Sequence, residues 1–83
     1  MNGNRILFVS YNPATLIRNE KLLIRAGYEV DTVFGKDGVL ACGSLTEYSS
    51  ISIDEACPLE EREALTSWLT TNFPTLSILR AAW

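Results

Sequence analysis

The chain has 83 residues, of which 47% are hydrophobic and 20% charged, with five Gly and three Pro. That length supports one domain, residues 1–83, around one core and leaves little room for a large internal cofactor chamber. Seven Lys plus Arg against ten Asp plus Glu give a net charge of −3, the wrong sign for nucleic-acid binding by counterion release. The composition is globular, and the short apolar runs suit neither a membrane span nor a secretory segment. The expectation is a cytoplasmic protein with neither nucleic acid nor membrane as partner. The sequence contains no His, and Cys42 and Cys57 are its only cysteines. A tetrahedral zinc site then has too few ligands, and hydrolytic catalysis lacks its usual imidazole base, so no enzyme is expected. The two cysteines read as small core residues.

In chain order, Arg5 to Ser10 holds four consecutive apolar residues, the pattern of a strand buried on both faces of a parallel sheet. Asn12 and Pro13 supply an N-cap and a first-turn proline, and Leu16, Ile17, Leu23 and Ile24 recur every seven residues along one side of a helix that Gly27 closes. Glu20 falls within that apolar stripe, which a carboxylate tolerates only if the face is partly covered. Arg18, Lys21 and Arg25 form a solvated helix face. Tyr28 to Val33 alternates, with Glu29 and Asp31 on its charged side, and reads as an edge strand. Gly35-Lys36-Asp37-Gly38 reads as a turn, followed by a short helix over Val39 to Leu45. Ser50 to Asp54 is a third strand ending on an acid. Pro58 opens a helix with Glu60 and Glu61 in its first turn and Ala64, Leu65, Trp68 and Leu69 as its buried face, stopped at Phe73-Pro74. Leu76 to Leu79 is the fourth strand. The order β-α-β-α-β-α-β with short connections predicts a three-layer α/β domain of parallel strands joined by right-handed crossovers.

The segment from residue 5 to 30, the Phe34 to Leu40 stretch, and Asp54 followed four residues later by Pro58 together resemble a bacterial response-regulator receiver domain of two-component signalling, with the CheY-like, flavodoxin-type fold. The resemblance covers essentially the whole chain as a pattern. It implies four strands in the order 2-1-3-4 with three helices, and it makes Asp54 the equivalent of the phosphoacceptor at the end of β3.

The departures from that family pattern bear on function. Receivers hold Mg²⁺ with two acids directly after β1, because phosphoryl transfer needs charge neutralised. The matching positions here are Ser10 and Tyr11, so no cofactor is expected and Mg²⁺ binding is doubtful. The switch Ser or Thr at the end of β4 is matched by Arg80, which either points into solvent or forms a bidentate pair with Asp54. The family's fourth helix, fifth strand and fifth helix have no counterpart, which leaves apolar side chains of β1, β3 and β4 bare and makes β4 an open edge. The expected remedy is a homodimer or a partner protein covering that face, with Glu20 at a wet rim, Leu76 and Ile78 on β4, and Trp83 as an aromatic anchor. The function expected is that of a degenerate receiver-like module acting by protein contact. The alternative is a working phosphoacceptor on Asp54, with Glu55 as a substitute metal ligand.

Overall fold

The computed structural model describes residues 5–42, 45–54 and 56–81, the side chains of residues 80 and 81 excepted. Strand β1 (Arg5–Ser10) is followed by α1 (Pro13–Arg25), β2 (Glu29–Phe34), α2 (Gly35–Ala41), a 3₁₀ turn (Leu45–Glu47), β3 (Ser50–Asp54), α3 (Leu59–Asn72) and β4 (Ser77–Ala81). All strand pairs are parallel and the order is β2-β1-β3-β4. This is the α/β domain of parallel strands that the alternation of elements predicts, in the shortened flavodoxin-like order that the resemblance implies. None of the described helices is long and apolar enough to cross a membrane.

The strand order sorts the helices between the faces. The step from β1 to β2 runs one way along the sheet, and the steps from β2 to β3 and from β3 to β4 run the other way. Right-handed crossovers therefore place α1 on one face and α2 with α3 on the opposite one. Leu7, Val9, Ile51 and Ile53 meet Val39, Leu65 and Leu69 in the main core. Ile6 and Phe8 alternate to the other side of β1 and are also buried. Cys57 is buried and Cys42 half-buried, both as free thiols.

Local chemistry fixes the ends of α1. The Asn12 side chain accepts the N–H groups of Ala14 at 2.9 Å and Thr15 at 3.4 Å, and Pro13 occupies a position where its missing donor costs nothing. At the other end Gly27 takes a φ of 96°, in the left-handed region that favours glycine. The Tyr28 N–H then turns back to the Leu23 carbonyl at 3.1 Å, so the chain leaves the helix directly into β2.

Three parts of the packing differ from the sequence expectation. First, α2 begins at Gly35 and ends at Ala41, so Gly35-Lys36-Asp37-Gly38 is its first turn and the expected Val39 to Leu45 helix is displaced. A Cβ on Gly38 would lie 3.0 Å from Val33 Cβ; lacking one, the helix sits close against β2. Second, the inward stripe of α1 is Leu16, Asn19, Glu20 and Leu23, at i, i+3, i+4 and i+7. Asn19 and Leu23 are buried, Glu20 is half-buried, and Ile17 and Ile24 are 53% and 54% exposed. On α3, Leu65 and Leu69 are buried and Trp68 is half-buried against the core, but Ala64 is exposed.

Third, the sheet face under α1 is not bare at β1 and β3. Ile6, Phe8, Ser52 and Asp54 are all at most 3% exposed, and the large apolar strand residues left open there are Leu79 of β4 and Phe34 at the end of β2. The physical reason lies partly in composition: β3 turns Ser50, Ser52 and Asp54 to this face, so it offers little apolar surface to cover. Leu76 and Ile78 are half-buried against the main core, which places them with the α3 layer. Trp83 lies outside the described residues.

At the amino-terminal end of the sheet, Arg5 donates to Asp31 Oδ2 and to Glu47 Oε1, each at 2.9 Å. Tyr48 donates its hydroxyl to the same Asp31 oxygen at 2.7 Å, and the Arg5 guanidinium lies 5.1 Å from the Tyr48 ring centre. The Tyr48 hydrogen bond, followed by that from Arg5, holds the Asp31 carboxyl below its ordinary range. Burial, followed by the bond to Asp31, raises the Tyr48 phenol.

Two expectations follow from this packing. Leu65→Ala should lower unfolding stability by about 2–5 kcal/mol, whereas Ile17→Ala should stay within about 0.5 kcal/mol; equal shifts of the two urea midpoints would contradict the assignment of faces. Because the folded Asp31 carboxyl sits below its unfolded value of about 3.9, its contribution is complete above that pH and fades as pH falls through the folded value. Acid titration of stability should show this component in the parent chain and not in Asp31→Asn.

Candidate functional site

The carboxyl ends of β1 and β3 lie side by side at the point where the strand order reverses direction, the usual place for a site in an open α/β sheet. Ser10 ends β1, Asp54 ends β3, and Ala81 of β4 is the register partner of Asp54. Ser10 is fully buried and Asp54 is 3% exposed. A carboxylate this deep is tolerable only with hydrogen-bond donors around it.

Those donors come from both loops. Asp54 Oδ1 accepts the Ala56 N–H at 3.1 Å, closing the short turn that follows β3. Asp54 Oδ2 faces the Ser10 hydroxyl at 3.3 Å and the Tyr11 N–H at 3.5 Å. The Ser10 oxygen also accepts the Asn12 N–H at 3.1 Å and lies 2.8 Å from the Asn12 carbonyl. One serine thereby joins the acid to the residue that caps α1. The Asp54 carbonyl accepts from the Cys57 N–H at 3.0 Å and from Arg62 Nη2 at 3.1 Å, which ties the end of β3 to the first turn of α3.

Tyr11 follows Ser10 and packs its ring against the main core. Its hydroxyl is buried without a hydrogen-bond partner among the described residues. Burial, with Cys57 and Glu61 alongside, raises the phenol well above its ordinary value, so Tyr11 stays neutral throughout the physiological range. The same residue forms one wall of a cavity of about 440 Å³, shared with Phe34, Gly35, Lys36, Asp37 and Glu61. Lys36, read in a turn from the sequence, is therefore at the rim of the carboxyl edge by virtue of the earlier start of α2.

Magnesium requires hard oxygen ligands in near-octahedral array, and here both carboxylate oxygens already face Ser10, Tyr11 and Ala56. No cluster of three metal-ligating side chains occurs among the described residues, and Glu55, the substitute ligand considered from sequence, lies outside them. Arg80 is opposite Ile53 in the β3–β4 register; its side chain, and with it the pairing to Asp54, also lies outside the described residues. Glu20 is on α1, half-buried, away from this edge.

Sequence reasoning missed Arg62 and Asn19. Arg62 sits one turn into α3 beside two glutamates and reads as part of a solvated face, yet it reaches the Asp54 carbonyl and its Nε is buried without an acceptor among the described residues. Asn19 looks polar and outward by type, but it is 1% exposed; its spacing from Leu16 and Leu23 is the signal that could have found it. No protein-family model matches the chain, and no curated protein or solved structure is significantly similar to it.

The network around Asp54 carries its own test. Ser10→Ala should lower stability by about 1–3 kcal/mol, by leaving Asp54 and the Asn12 amide short of a partner. Asp54→Ala should cost less in the Ser10→Ala background than in the parent chain. Additivity within about 0.5 kcal/mol in a urea double-mutant cycle would mean that the two side chains do not act as a unit.

Proposed function

We propose that the chain is a degenerate receiver-like signalling module of the bacterial two-component type, cytoplasmic, which works by protein–protein contact and not by metal-dependent phosphotransfer. The observation that supports this reading best is the environment of Asp54. An acid at the end of β3 is buried among neutral donors, with Ser10 and Tyr11 in the places where the resemblance calls for two acids. Nucleophilic attack on a phosphodonor would have to break those bonds and bring a second negative charge beside a buried carboxylate with no counter-ion in contact among the described residues. The acid is better suited to holding the β1, β3 and α3 ends together than to accepting a phosphoryl group.

A contact role also agrees with the outer surface. Ile17, Ile24, Phe34, Leu59 and Leu79 are exposed on a chain of only 83 residues, and such side chains favour a second copy or another protein as cover.

Incubation with Mg²⁺ and a small acyl phosphate, followed by mass spectrometry, tests the proposal. The expected result is an unchanged mass. An acid-stable, base-labile phosphoryl adduct that disappears in Asp54→Asn would instead make the chain a working phosphoacceptor.

A further inference from the structure

Strand β4 is an outer strand of the sheet, paired with β3 on one side and with no described strand on the other. Such an edge presents a row of backbone N–H and C=O groups that another extended chain can satisfy. A groove of about 520 Å³ follows this edge. Ile78 shares the register of Ile51 and belongs to the α3 face, whereas Leu79 shares that of Ser52 and belongs to the other face. Both line the groove, together with Ile53 and Leu59, so it lies between α3 and β4 and reaches the outer strand at Leu79. An added strand would project alternate side chains to the two faces, one set towards Ile53, Ile78 and Leu59 and the other beside Leu79.

The groove also has a charge to satisfy. Its charged lining residues are Arg62 and Glu63. Glu63 is exposed and free to turn to water, as adjacent helix positions do not share a face. Arg62 lines the groove half-buried and makes no ion pair among the described residues. A guanidinium in that position is completed by a carboxylate. The strand itself, residues 77–81, contains one basic residue and no acidic one, so pairing β4 with its own copy brings no strand acid to Arg62.

We propose that the β4 edge and its groove bind an extended segment of another protein, apolar at alternate positions and carrying an acidic residue that pairs with Arg62. Main-chain hydrogen bonds to β4 supply the affinity, and the groove and Arg62 supply the selectivity. This rests on the reading of the chain as a contact module and names the kind of partner and the surface that receives it.

The test pans a phage-displayed library of random ten-residue peptides on the full chain and on Leu59→Glu, then maps the selected peptides by amide chemical shifts. Leu59 is 66% exposed and outside the core cluster, so the variant should fold, as circular dichroism will confirm. Expected are peptides with apolar residues at every second position and at least one Asp or Glu, shifts concentrated at residues 77–81 and Arg62, and binding weakened about tenfold or more in Leu59→Glu or when the peptide acid becomes Lys. Failure to enrich any peptide, a consensus with helical spacing or basic character, or a concentration-dependent dimer that protects β4 without peptide would each overturn the proposal. Shifts confined to α1 would also overturn it while leaving the contact-module reading intact. A phosphoryl adduct on Asp54 would remove that reading without changing the peptide result.

Discussion

Ile6, Leu7, Phe8 and Val9 leave β1 no side that water can occupy, so the strand must be covered from both faces. Parallel neighbours β2 and β3 satisfy its backbone, and the layers above and below satisfy its side chains. Right-handed connections permit this only if the chain passes to one side of β1 and then returns to the other. The order β2-β1-β3-β4 and the separation of α1 from α2 and α3 are consequences of that requirement. The polarity of the remaining strands agrees with it: β2 is charged at an outer edge, while β3 turns isoleucines towards α3 and small polar groups towards α1.

Burial at the centre of the sheet also determines the character of its carboxyl edge. Ser10 and Asp54 are continuations of the two most buried strands, so the acid at the end of β3 has little water to solvate it. Its carboxylate oxygens face one hydroxyl and two backbone amides, and its carbonyl is held by Arg62. A group held by that many short connections to β1, α1 and α3 is a joint between elements. The same joint carries the Arg62 side chain towards the β4 edge, so the buried acid and the open groove share a residue although they lie on different sides of the strand ends.

Much of the architecture is legible from residue types. The four strands, the alternation of elements, the cap of α1 at Asn12 and Pro13 and its stop at Gly27 follow from backbone chemistry and apolar runs, which act over a few residues. The start of α2 is hidden because Gly35 and Gly38 are ordinary turn residues until a close approach to Val33 gives the second one a packing role. The inward stripe of α1 is half legible: periodicity finds Leu16, Leu23 and the compromised position of Glu20, but Ile17 and Ile24 are equally apolar by type, and only the packing of α1 against β1 and β2 leaves them outside. At the site, Asp54, Ser10 and Tyr11 are recognisable from their places at strand ends. Arg62 is not, because its partner is a backbone carbonyl eight residues earlier with no side-chain identity to betray it. The cluster of Arg5, Asp31, Glu47 and Tyr48 is likewise assembled from four separate stretches of chain.

By itself, then, the sequence determined where the four strands and the helices α1 and α3 lie, that the strands run parallel, and that the acid at the end of β3 lacks two neighbouring acids. Those properties depend on local conformational preference, on the length of the connections and on residue identity. Only the tertiary structure decided which side chains of α1 face inward, that Asp54 is enclosed by Ser10, Tyr11 and Ala56, and that a groove lies between α3 and β4 with Arg62 in its lining. These depend on distances between segments far apart in the chain, which hydrophobic burial and strand register fix jointly and no single segment encodes.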